Sequence, residues 1–149
     1  MNRKNFLQAM LMLPGALALR VQAAGPLVNV YKTPTCGCCG LWVEHMKKNG
    51  FELKVRNVDD TAPWRAQYGV PEKLQSCHTA VVEGYAIEGH VPASEIQRML
   101  KERPQAKGLA VPGMVSGSPG MEGGASQAYS VLLFTADGKT SVYKSYPGK

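Results

Sequence analysis

Apolar and polar residues alternate over Val28-Asn29-Val30-Tyr31-Lys32 and again over Phe51 to Val58, the two-residue period of a strand with one buried face. Between these runs, Leu41-Trp42-Val43-Glu44-His45-Met46-Lys47-Lys48 takes helical spacing and closes on Asn49-Gly50, an ordinary helix stop. Strand, helix and strand make a βαβ unit, expected to be right-handed with parallel strands. Asp59-Asp60-Thr61 predicts the cap of a second helix, with Pro63 in its first turn and Gly69-Val70-Pro71 as its end. Glu72 to Ser76 reads as a short connection with room for one helical turn.

Thr79-Ala80-Val81-Val82 and Tyr85-Ala86-Ile87-Glu88 then form a strand pair around a two-residue turn at Glu83-Gly84. A third helix runs from about Ala93 to Arg103, with Ile96, Met99 and Leu100 as its apolar stripe and Pro104 as its stop. From Gly108 to Ser126 neither period survives, and Gly, Pro and Ser dominate, which predicts a long loop. The chain closes on a hairpin, Tyr129 to Ala136 and Lys139 to Tyr146, around Asp137-Gly138. The predicted fold class is therefore α/β: a thioredoxin-like β-α-β-α-β-β-α core with a Gly/Pro/Met loop and an additional C-terminal β-hairpin.

Residues 1–23 stand outside this pattern. Met1-Asn2-Arg3-Lys4-Asn5 is basic, Phe6 to Leu19 is apolar, and Val21-Gln22-Ala23 offers small residues at a cleavage spacing, as in an export signal. Lys4 stands where a twin-arginine signal has its second Arg, so both the twin-arginine and the general secretory route remain open. The expected division is a signal peptide over 1–23 and one domain over 24–149, exported to the periplasm and without stable membrane insertion after cleavage. Without Arg3, Lys4 and Arg20 the formal charge falls from +6 to +3. No Lys/Arg block with interleaved aromatics follows, which argues against nucleic acid as a partner.

All four cysteines fall in the expected mature chain, and three crowd into Thr33-Pro34-Thr35-Cys36-Gly37-Cys38-Cys39-Gly40. This segment joins the first strand to the first helix. The positive end of the helix dipole there favours thiolate, which is both nucleophile and metal ligand. Two structural disulfides are the plain alternative, with two of the three possible pairings avoiding the adjacent Cys38 and Cys39. Clustered thiols suit chemistry better than they suit stapling.

Turn geometry supplies the partners. With Glu83-Gly84 as the loop, Val82 faces Tyr85, and counting outward sets Cys77 opposite His90. The open end of that hairpin should lie beside the cysteine turn, so that Cys77, His78 and His90 converge on Cys36, Cys38 and Cys39. Met114 and Met121 sit in the Gly/Pro/Ser loop without apolar sequence neighbours, whereas Met46 and Met99 fit helical stripes and read as core. Thioether, thiolate and imidazole together select Cu(I) over zinc or hard ions. His45 lies two helical turns beyond Cys38, roughly 10 Å along the axis. It reads as a surface or helix C-terminal residue rather than a ligand.

With these residues in place, the chain resembles the family of exported CGCC-motif proteins associated with copper resistance, formerly described only as a domain of unknown function. The resemblance rests on Val30-Tyr31-Lys32 through Cys36-Gly37-Cys38-Cys39-Gly40, on Cys77-His78-Thr79-Ala80-Val81-Val82, and on Glu88-Gly89-His90-Val91-Pro92. It continues through Gly108-Leu109-Ala110-Val111-Pro112-Gly113-Met114 to Gly117-Ser118-Pro119-Gly120-Met121, with Val115 where Pro is common in the family. It implies a thioredoxin-like periplasmic protein that binds copper through cysteine and histidine. It extends to several ions in one thiolate-bridged cluster and to Cu(I)/Cu(II) interconversion during resistance.

Two other functions fit some of the same residues. Cys36 and Cys39 have the C-x-x-C spacing of a thiol–disulfide oxidoreductase, with Cys36 as attacker and Cys39 or Cys38 resolving. That chemistry leaves the third thiol and both histidines without work. A zinc or iron–sulfur module is the other alternative, and zinc gives Met114 and Met121 no role. The expected partners are copper ions and periplasmic redox or copper-handling proteins.

Overall fold

The computed structural model describes residues 23–149. The segment expected to be an export signal, residues 1–23, lies outside the described residues apart from Ala23. The first strand, β1, spans Leu27–Lys32 and leads through a turn into helix α1, Gly37–Lys48. Strand β2, Glu52–Asn57, returns parallel to β1 with Val30 opposite Val55, completing the expected βαβ unit. Helix α2 covers Ala62–Gln67, and its first amide, that of Ala62, donates to the Asp60 carboxylate. A single 3-10 turn at Glu72–Leu74 fills the short connection.

Strands β3, His78–Val82, and β4, Tyr85–Glu88, pair antiparallel with Val82 opposite Tyr85, so the turn is the two-residue Glu83-Gly84. Strand β3 also runs antiparallel to β1, with Lys32 opposite His78. The start of β3 therefore lies at the end of β1 that feeds the cysteine turn. Helix α3 spans Ala93–Glu102.

One expectation is corrected beyond α3. Gly108–Ala110 is a strand, β5, parallel to β4, and not the beginning of a loop. Three residues carry no readable period, and the extended form is imposed by the neighbours on both sides. A Cβ at Gly108 would stand 1.7 Å from the Ala86 carbonyl oxygen, so only glycine allows this approach. Strands β6, Tyr129–Phe134, and β7, Thr140–Tyr146, form the expected C-terminal hairpin. Because β6 pairs with β5, the hairpin extends the core sheet, giving seven strands among the described residues in the order β2-β1-β3-β4-β5-β6-β7.

The main core lies between this sheet and the helices α1 and α3. Val28, Val30, Trp42, Met46, Ile87, Ile96, Met99 and Leu109 are fully buried there, so Met46 and Met99 are core residues as expected. A smaller cluster of Val70, Leu74, Ala86, Ala110 and Phe134 packs elsewhere on the sheet. Among the described residues no helix is long and apolar enough to cross a membrane.

Candidate metal centre

Cys36 caps the N-terminus of α1 in an extended conformation, its amide bonded to the Thr33 carbonyl, and Cys38 and Cys39 fall in the first helical turn. No acidic side chain occupies that turn, so nothing competes with the thiols for the positive end of the helix. Cys36 and Cys39 are joined by a disulfide, with Cα atoms 5.4 Å apart, while Cys38 and Cys77 are free thiols. The sulfur of Cys38 lies 3.6 Å from that of Cys36. All four sulfurs lie within 4.8 Å of one another.

The second half of the site comes from the open end of the β3–β4 hairpin. Gly89 donates to the His78 carbonyl, which continues the ladder one step beyond Glu88. Gly89 has φ +73°, and a Cβ there would stand 2.5 Å from both Ser76 Oγ and the Val111 carbonyl oxygen. Glycine is required for the turn that swings His90 back over Cys77. The Cys77 sulfur consequently lies 3.1 Å from His90 Nε2 and 3.5 Å from His78 Nδ1. One donor atom from each of Cys77, His78 and His90 falls within 4.8 Å of the other two. The structure thus brings together all six of the cysteines and histidines singled out from the sequence.

The loop after β5 closes over this cluster. His90 Nδ1 donates to the Pro119 carbonyl at 2.6 Å, which fixes the tautomer and leaves Nε2 as a bare lone pair facing the sulfur. Gly120 packs so closely that a Cβ would meet the Trp42 amide at 2.8 Å, the Cys38 carbonyl at 2.9 Å and His90 Nδ1 at 3.1 Å. Its φ of +87° also demands glycine. Ser118, Pro119 and Gly120 are buried, whereas Met121 is half-buried and Met114 is 54% exposed. The loop therefore covers the site with its backbone at 118–120.

Burial sets the electrostatics. His78 is fully buried against Trp42, ring centroids 4.4 Å apart, and desolvation pushes its pKa down to about 3, helped by His90 and Lys32. Desolvation lowers His90 as well, against the opposing pull of the Pro119 carbonyl. The Cys77 thiol is pushed up to about 12, chiefly by burial and then by Cys38. Both imidazoles are thus held neutral, the form that ligates a metal, and a cation would relieve the cost of ionising Cys77. His78 Nε2 is buried with no hydrogen-bond partner among the described residues. It is Nδ1 of His78 that faces the Cys77 sulfur, and the set of soft donors gathered around that sulfur fits a soft metal ion.

Several supporting residues escaped sequence reasoning. Glu88 is completely buried and accepts from the Ser76 amide at 2.8 Å and the Thr79 hydroxyl at 2.6 Å. Arg65, also buried, approaches the same carboxylate at 3.7 Å. Ser76 in turn bonds the Gly113 carbonyl, tying the segment before Cys77 to the covering loop. Glu88 sits two positions before His90, and that spacing was its only visible signal. His45 is corrected: its Nε2 accepts the Ala93 amide at 3.0 Å and caps α3, so it is neither a free surface group nor a charge at its own helix end. Trp42 is a buried core residue whose Nε1 donates to the Val91 carbonyl, and Trp64 stacks on Tyr31 at 4.1 Å.

Comparison with known proteins adds to this geometry. Residues 74–121 match a family model described as "Protein of unknown function, DUF411". That segment contains Cys77, His78, His90 and both loop methionines. A solved structure of a copper resistance protein copG, Form 2, shares 42% identity with a TM-score of 0.78, covering 83% of this chain and 99% of that one. The chain belongs to the CopG-like copper resistance family. A Form 1 structure of a copper resistance protein copG matches with 43% identity and a TM-score of 0.78, over 82% of this chain and 98% of that one. No curated protein matches the sequence at a significant level. Membership of this family and a cysteine–histidine cluster able to hold a metal support a copper-related role.

Proposed function

We propose that this chain is an exported periplasmic copper-binding protein of copper resistance that holds copper among Cys36, Cys38, Cys39, Cys77, His78 and His90 and interconverts Cu(I) and Cu(II). The observation that carries the reading is the convergence of four sulfurs, each within 4.8 Å of the others, with Cys77 shared by a Cys/His/His group of the same span. Once the Cys36–Cys39 disulfide is reduced, each thiolate can bridge more than one soft ion, so this donor set has capacity for a multinuclear cluster. Mixed sulfur and imidazole ligation tolerates both copper valences, which is what redox cycling needs. Met114 and Met121 are included as further soft donors from the covering loop, Met121 being half-buried next to the buried Gly120 and Met114 54% exposed. The element order and the cysteine turn at the first strand–helix junction support a thioredoxin-like ancestry for this scaffold.

The test is to load reduced, metal-free protein with Cu(I) under anaerobic conditions and measure retention against a competing chelator. Tight, near-stoichiometric copper that falls on replacing Cys77 or His90 is the expected result. Copper that washes out, or binds equally well to the Cys77→Ser chain, overturns the reading. A second reading, thiol–disulfide exchange, is favoured by one observation, the Cys36–Cys39 disulfide. Disulfide-exchange turnover by metal-free protein, lost in Cys36→Ser and unaffected by His90→Ala, would favour it over copper handling.

A further inference from the structure

Of the four sulfurs that converge on this site, two are covalently joined and two are free. The division is not arbitrary in space. The free pair, Cys38 and Cys77, belongs to the same four-sulfur group as the disulfide, and Cys77 also belongs to the group with His78 and His90. Closing Cys36 onto Cys39 therefore removes two donors and still leaves a soft set of two thiols and two imidazoles. A site made only to store metal gains nothing from a disulfide in its midst, since each thiol oxidised is a ligand lost.

Resting on the copper reading, we propose that the Cys36–Cys39 pair is the site's own electron source: its two thiols reduce two Cu(II) ions to Cu(I) and close to the disulfide, and Cys38, Cys77, His78 and His90 retain the product. The step balances. Two thiols lose two protons to solvent and two electrons, one to each Cu(II), and a single S–S bond forms. The remaining thiolate and imidazole donors favour the Cu(I) product over Cu(II). Reduction and a fall in ligand number are thus one event, which changes how much copper the site holds.

The exposure of the pair fits a return step driven by an external dithiol. Cys39 is fully buried, whereas Cys36 is half-buried at the N-cap. An incoming thiolate reaches the Cys36 sulfur, forms a mixed disulfide there, and expels Cys39 as a thiolate within the first turn of α1. The second thiol of the same reagent then displaces Cys36, leaving that reagent oxidised and both chain thiols restored.

The experiment mixes fully reduced, metal-free protein with increments of Cu(II) under anaerobic conditions. It reads Cu(I) with a Cu(I)-specific chromogenic chelator after denaturation, and maps disulfides by alkylation and mass spectrometry. The expected result is two Cu(I) per chain, a fall in free thiols from the four cysteines of the sequence to two, and a disulfide mapped to Cys36–Cys39. Protein oxidised beforehand at that pair is expected to bind added Cu(I) and to reduce no Cu(II), which tests the idea without any substitution. Cys36→Ser and Cys39→Ser should each lose the two-electron step. A disulfide at any other pair, or Cu(II) reduction by the pre-oxidised protein equal to that of the reduced form, overturns the proposal. Cu(I) binding without Cu(II) reduction overturns it and leaves only the copper-binding part of the reading standing. Failure to bind copper in either valence removes both.

Discussion

His90 is gripped at both ring nitrogens, by the Pro119 carbonyl on Nδ1 and by the Cys77 sulfur facing Nε2. The carbonyl reaches His90 because Gly120, at φ +87°, lets the loop lie against the Trp42 amide and the Cys38 carbonyl. Gly120→Ala puts a Cβ into atoms that are backbone on two of three sides, and into a conformation that costs an L-residue roughly 1–3 kcal/mol. The expected outcome is a chain that still folds but binds Cu(I) about 10–100-fold more weakly, the usual effect of losing a partner behind a ligand. Competition with a chelator of known affinity measures it, and unchanged affinity would show that the loop does not orient His90. A second residue-scale prediction concerns Glu88. Replacing it with Ala leaves Arg65 without its buried partner and the Ser76 amide without an acceptor, at a cost of about 3–5 kcal/mol in denaturant unfolding. At this scale the sequence was informative wherever a short-range rule applied. A two-residue turn at Glu83-Gly84 fixed the register, and that register, completed by the turn at Gly89, put Cys77 beside His90. Pro119 and Glu88 were not legible, because a backbone carbonyl has no sequence signature and a buried glutamate looks like a surface one until its partners fold around it.

At the scale of elements, α1 and α3 are joined by an unusual cap. Pro92 precedes α3 and has no side-chain acceptor to offer, so the Ala93 amide takes its partner from His45, late in α1. Only a neutral imidazole can accept there. Burial, outweighing the pull of Glu122, holds the His45 pKa below its ordinary 6.5, with Lys48 adding to the lowering. The unfolded chain therefore takes up a proton at a pH where the folded chain does not. The contribution is complete above about pH 6.5 and is lost as pH falls below it through the folded value. His78 and His90 act in the same direction, so the effect of His45 is isolated by difference. His45→Gln, which keeps an acceptor but cannot titrate, is expected to lose less stability than the unaltered protein between pH 6.5 and acid. Parallel loss of stability in the two chains would remove His45 from the account. This cap and strand β5 share a reason for escaping the sequence: each is defined by a neighbour distant along the chain. The βαβ unit, the β3–β4 pair and the terminal hairpin were legible because their periods and turns are local.

Across the whole molecule, the candidate centre is where separate parts of the chain meet. The turn before α1, the start of β3, the residues beyond β4 and the loop after β5 all contribute to one small volume. Copper held there ties these segments together in the folded state, and the unfolded chain offers no equivalent arrangement of donors. With free Cu(I) at about a thousand times its dissociation constant, mass action stabilises the fold by about 4 kcal/mol. For a domain of this size each kcal/mol moves the midpoint by a few degrees, so Tm should rise by roughly 10–15 °C on loading and fall back on chelation. The disulfide makes a weaker tie, since Cys36 and Cys39 are only three residues apart and their bond closes a very short loop. Calorimetry on reduced apo, oxidised apo and copper-loaded protein separates the two contributions. A large rise on loading that is lost in Cys77→Ser is expected, because Cys77 is the sulfur common to the thiol cluster and to the two imidazoles. A Tm that follows the disulfide and ignores copper would mean that the metal meets only the cysteine turn, and that the convergence of β3 and the covering loop serves packing alone.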